Sequence, residues 1–172
     1  MTSLLASSFS NAAELDNCLV EKYSLYTKAK EKWQIESTDL IVRHSPHLKD
    51  VAELYKNEQL IRIKKNQLAV DILIGSNSEF IDVNKNLRKW LSLSSEAELS
   101  LANKSLRYKE LLKSVKSSGT RAPHPDGDKL RRVVRSKIMG LPKFQLLLKN
   151  FNIEVEKVNH LQCVSNNAKM TP

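Results

Sequence analysis

Glycine and proline are scarce, with four and five in 172 residues. Enzymes of the α/β class spend glycine at tight turns and phosphate loops, so this scarcity argues against them. Cysteine is scarcer still: only Cys18 and Cys163, near opposite ends of the chain. Two thiols cannot build a structural zinc cluster. They could form one disulfide, but the sequence favours two ordinary thiols in a reducing, intracellular compartment. Long apolar runs are absent too. The Leu146-Leu147-Leu148 stretch falls far short of the roughly 18 residues that span a bilayer, so no membrane partner is expected. The opening MTSLLASSFSNAAELDN has no basic region and soon reaches Glu14 and Asp16, which predicts no signal peptide.

What is present is helical patterning. Hydrophobic residues make up 41% and charged residues 27%, and the apolar ones recur at spacings of three and four. This excludes extended disorder. The expected class is all-α: a long coiled-coil or helical-bundle stalk with a small C-terminal helical element. Residues 1–10 read as a disordered N-terminus and 11–37 as a first helix striped by Leu15, Leu19, Tyr26, Ala29 and Trp33. Residues 37–47 interrupt it, because Ser45-Pro46 disfavours helix before the proline and suits the start of the next one.

A second pattern runs over 48–117, either continuous or broken at 75–78. Its first half carries a seam through Val51, Leu54, Glu58, Ile61, Lys65, Leu68 and Ile72, with Leu60, Ile63, Val70 and Ile74 beside it. Two seams imply several partner helices. Past Gly75 to Ser78 the register slips by one residue. Heptad positions then hold Phe80, Val83, Leu87, Trp90, Ser94, Ala97, Leu101, Lys104, Tyr108, Leu111 and Val115. Phe80 and Trp90 are expected in a core, while Ser94 and Lys104 would set register or partner choice. So long a striped helix needs cover from other chains. Leu54, Ile61, Leu68, Phe80, Leu87, Trp90, Leu101 and Leu111 are therefore the expected partner-interface residues.

Residues 118–127 read as a linker, holding two glycines and two prolines. Asp128 is the expected N-cap of a short helix faced by Leu130, Val133, Val134, Lys137 and Ile138. Gly140 would close that helix and Pro142 would open another, faced by Phe144, Leu147, Leu148 and Phe151. The stretch 152–158 reads as a short strand or a frayed helix. The whole of 128–164 forms the small basic element, and 165–172 a disordered tail.

Candidate chemistry is sparse. His44, His47 and His124 have no cysteine or carboxylate at ligand spacing, and the acidic residues are scattered singly along helix faces. The sequence reads as a non-enzyme that calls for no cofactor, metal or small-molecule substrate. Its charge is the informative feature. Of the nine net positive charges, six fall within 119–149, where eight Lys/Arg face two Asp. Lys129, Arg131, Arg132, Arg135 and Lys137 are the expected contacts to nucleic-acid phosphate or an acidic partner; the plainer reading is a solvated helix face. The helix–Gly-Leu-Pro–helix order could mimic a helix-turn-helix, although the second helix offers only Gln145 and Asn150 to base edges.

The stretch Phe80-Ile81-Asp82-Val83-Asn84-Lys85-Asn86-Leu87, with Ser105-Leu106-Arg107-Tyr108-Lys109-Glu110-Leu111-Leu112-Lys113 downstream, resembles the centromere protein H family. Its members carry an Asn-Lys pair in such a coil and a basic, leucine-containing segment after it. The resemblance implies a scaffold subunit of the inner kinetochore, nuclear and chromosome-associated, held among other helical proteins, with no catalytic residue to carry over. Three functions follow as expectations. The first is a non-catalytic subunit assembled by hetero-coiled-coil contacts, the second a nucleic-acid-binding coiled-coil dimer, and the third a cytoplasmic or bacterial coiled-coil adaptor. A scaffold subunit purified alone should aggregate, whereas a DNA-binding dimer should be folded and salt-sensitive.

Overall fold

The computed structural model describes residues 6–76 and 78–163, with side-chain environments from residue 12 onward. Of the expected disordered ends, 165–172 and the first five residues lie outside the described residues, while 6–10 belong to the first helix. Those described are all-helical. Six α-helices form: α1 (Ala6–His44), α2 (Lys49–Leu73), α3 (Ser95–Lys104), α4 (Leu106–Thr120), α5 (Gly127–Val133) and α6 (Pro142–Asn159). Among the described residues there is no strand, only an isolated antiparallel bridge between Ile81 and Leu91. None of the helices is long and apolar enough to cross a membrane.

α1 runs past the expected stop at residue 37. Ser37 remains helical because its Oγ donates to the Trp33 carbonyl at 2.6 Å, so the hydroxyl is satisfied inside the helix. Leu40, nearly fully buried, anchors the added turns. The chain reverses at Ser45, and Pro46 starts a single 3-10 turn, Pro46–Leu48, that leads into α2. α1 and α2 thus form an antiparallel hairpin. α6 lies along the other side of α1, α4 lies along α2, and α3 packs against α4.

The pattern over 48–117 is not one helix. α2 stops at Leu73, and Gly75 takes φ +81°, a left-handed conformation that favours glycine. Residues 78–94 then wrap around the end of the hairpin through turns, the Ile81–Leu91 bridge and a 3-10 turn at Leu87–Lys89. Trp90 pins this segment: its Nε1 donates to the Lys85 carbonyl at 2.7 Å, and its ring stacks on Tyr23 at 5.9 Å. Leu87 and Trp90 are each 1% exposed, packed with Tyr23, Tyr26, Val70, Val155 and Val158. Ser94 is no register-setting seam residue. Its Oγ caps α3 by accepting from the Ala97 N–H, as Ser105 caps α4 by accepting from Tyr108.

A second core joins Ala69 and Leu73 of α2 to Leu101, Ala102, Tyr108 and Leu112. Above it Lys65 of α2 forms a mostly buried ion pair with Glu98 of α3. The expected linker is shorter than read: α4 continues through Gly119 to Thr120, leaving Arg121–Asp126 as the connection. Residues 152–158 belong to α6, which carries Val155 and Val158 into the first core.

The cysteines are not free. Cys18 and Cys163 form a disulfide with Cα atoms 5.7 Å apart. The cause is the antiparallel packing of α6 on α1, which carries the segment after α6 back to the early turns of α1. Trp33 meets Phe144 and Phe151 along the same seam, and the Lys22 ammonium donates to the carbonyls of Asn159 and Leu161 at 2.9 and 2.6 Å.

Candidate polyanion-binding face

The basic segment is mounted on the corner where α1 turns into α2. Gly127 opens α5 at a site where a Cβ would stand 2.6 Å from the Tyr55 hydroxyl, so the helix start sits directly on α2. Asp126, not Asp128, precedes the helix; Asp128 falls in its first turn, where its charge complements the helix dipole. Leu130 drops onto Leu48, Val51 and Ala52. A π turn, Val134–Ile138, then widens the helix. The wider turn takes up an extra residue, which brings Ile138 back to the face of Leu130 and under Leu40 and Phe144.

With Leu130 and Ile138 inward, Lys129, Arg131, Arg132, Arg135 and Lys137 all lie exposed. Lys137, expected on the apolar face, points to solvent instead. Arg131 pairs with Asp128 at 3.2 Å, both side chains well exposed, so the pair contributes little. The other four cations form no ion pair among the described residues. Exposed Lys143 at the start of α6 adds charge to the same end, whereas Arg43 and Lys49 at the hairpin corner are offset by the exposed carboxylates of Asp39 and Asp50. The arrangement can gather several phosphates at once. It does not build a reading helix, since α6 is spent on α1 and the Gln145 amide donates to the Met139 carbonyl at 2.6 Å. One amide N–H of Gln145 is thus spent inside the turn.

The expected partner-interface residues divide into two groups. Leu87, Trp90 and Leu101 are buried in this chain's own core, which corrects their reading as partner anchors: the chain folds back and supplies the cover itself. Leu54, Ile61, Leu68, Phe80 and Leu111 are half-buried. Of these, Leu68 and Phe80 pack on the α2–α3–α4 core, and Leu68 and Leu111 line a cleft between α1, α2 and α4. There Thr27 Oγ1 donates to Gln67 Oε1, and Gln67 Nε2 donates to Asp71 at 2.6 Å. Burial pushes the Asp71 carboxyl up, and the Gln67 bond opposes the shift. Burial lowers Lys30, aided by nearby Arg88, and burial alone lowers Lys22.

Among the described residues no group of three His, Cys, Asp or Glu side chains converges at metal-ligand distance. The sequence reading missed the exposed leucines Leu99 and Leu106, whose only signal was their place off the heptad seam. Comparison with known protein families, curated proteins and solved structures finds no match.

Proposed function

We propose that the chain is a non-catalytic subunit of a larger assembly that holds nucleic-acid phosphate on the basic end of its helical bundle. The observation that carries this reading is the exposure of Lys129, Arg131, Arg132, Arg135 and Lys137 on one short element, with a single exposed carboxylate partner. Arginine suits the task because its planar guanidinium grips phosphate oxygens bidentately. Contact is to the backbone of the nucleic acid, and sequence is not read.

Two observations draw the reading away from a centromeric, nuclear setting. The Phe80–Leu87 motif that resembles the centromere protein H family lies in turns instead of a coil. The Cys18–Cys163 pair favours an oxidising compartment, since cytosolic and nuclear thiols are kept reduced.

The experiment is a salt titration of binding to duplex DNA of two unrelated sequences. Three arginine–phosphate contacts contribute a slope of about −0.9 each in log K against log salt. Arg131→Ala, Arg132→Ala and Arg135→Ala together should flatten the slope by nearly three and weaken both duplexes alike. An unchanged slope would return the arginines to a solvated face and remove nucleic acid from the proposal.

A further inference from the structure

The α3–α4 hairpin carries a second surface, to which none of Lys129, Arg131, Arg132, Arg135 and Lys137 contributes. Between the two helices lies an open cleft of about 440 Å³. Ala102 and Leu112 form its floor and Leu99, 55% exposed, forms a lip. One wall is a row of lysines, Lys109, Lys113 and Lys116, and no carboxylate lines the cleft. None of the three lysines forms an ion pair among the described residues.

Their spacing of four and three places them on a single stripe of α4, about 10 Å from first to last at 1.5 Å rise per residue. We infer that this cleft is the docking site of an acidic amphipathic helix from a partner protein. An α-helix with an apolar ridge for the floor and carboxylates at i, i+4 and i+7 on one flank matches both features at once. A second copy of this chain does not. α4 carries Arg107, Lys109, Lys113 and Lys116 against Glu110 alone, so two such faces repel. Bare nucleic acid leaves the apolar floor uncovered. The inference rests on the reading of the chain as a subunit of an assembly, and is independent of what the basic end binds.

The test uses the full-length oxidised protein and a fluorescently labelled peptide of about 18 residues, some five helical turns. Its apolar ridge is leucine and one flank is glutamate; a twin peptide carries lysine on that flank. Anisotropy should show the glutamate peptide binding at least about tenfold more tightly than its twin. Lys109→Glu with Lys113→Glu and Lys116→Glu should remove that preference, while Arg131→Ala with Arg132→Ala and Arg135→Ala leaves it intact. Should the charge-reversed protein lose helicity by circular dichroism, Lys109→Gln with Lys113→Gln and Lys116→Gln is read in its place and should cost about tenfold. Leu99→Asp should weaken the peptide by a similar factor without touching duplex binding. Equal binding of both peptides overturns the inference, as does binding that survives the lysine changes. Loss of the peptide in the 131/132/135 variant would move its site to the basic end. Lysine-dependent binding to phosphatidylglycerol vesicles that the peptide cannot displace would replace a helix with a lipid surface.

Discussion

Among the described residues the buried Tyr108 hydroxyl has no hydrogen-bond partner, at the meeting of α2, α3 and α4. A buried hydroxyl left unpaired costs about 1–3 kcal/mol, while the ring around it is fully packed. Tyr108→Phe keeps the ring and removes the cost. The variant should be as stable as the parent or gain about 1 kcal/mol, read as a rise in thermal midpoint of about 2–4 °C; a fall would mean the hydroxyl has a partner. Burial, with Glu98 adding a like-charge effect, pushes this phenol from 10.0 up to about 12. A raised folded-state pKa contributes stability that is complete below pH 10.0 and lost as pH rises through about 12. Burial raises Tyr23 as well, so the two act in the same direction. Denaturant midpoints across the alkaline range should therefore fall less steeply for Tyr108→Phe than for the parent.

At the scale of elements, the break after α2 decides the architecture. Had residues 74–94 stayed helical, the apolar row of Leu87, Trp90 and Leu101 would have projected on a stalk with nothing of this chain to cover it. Gly75 makes the reversal cheap, since φ +81° costs an L side chain about 1–2 kcal/mol. A Cβ there would also meet the Asp16 carboxylate at 2.7 Å, a flexible group that can move aside. Gly75→Ala should thus lower stability by about 1–2 kcal/mol, chiefly through the backbone, as measured by urea unfolding. No loss would show that the turn takes another conformation. The π turn has a comparable role at the other end of the molecule, setting Ile138 inward and leaving Arg135 and Lys137 in solvent.

For the whole molecule, the Cys18–Cys163 disulfide ties the early turns of α1 to the segment after α6 and closes a loop of most of the chain. Cross-links over loops this long contribute about 2–5 kcal/mol, mainly by restricting the unfolded ensemble. Reduction, or Cys18→Ser with Cys163→Ser, should lower the urea midpoint by a corresponding amount while α1–α6 packing through Trp33, Phe144 and Phe151 keeps the fold. An unchanged midpoint would show that packing alone holds the two ends together. Thiol trapping by alkylation during isolation from the native source should leave no free cysteine; two labelled thiols would restore the reducing setting first expected.

Helical class was written in local spacing. Leu15, Leu19, Tyr26, Ala29 and Trp33 repeat at 3.6-residue intervals, and Pro46 and Pro142 mark helix starts by their own covalent geometry. The charge of the basic segment was legible too, but not the facing of every member: Lys137 read as part of the apolar face, and the π turn that turns it to solvent leaves no mark in residue spacing. A heptad row over Phe80 to Val115 says that a face is apolar; it does not say whose surface covers it. An intermolecular coil and a chain folded back on itself satisfy the same pattern, and the choice fell to contacts distant in sequence, such as Trp90 on Tyr23 and Val155 beside Val70. The pairing of Cys18 with Cys163 was beyond local reading for the same reason: it exists only because α6 lies antiparallel on α1. Periodicity is a property of neighbours along the chain, and determined the helices; proximity of remote residues is a property of their packing, and only the tertiary structure decided it.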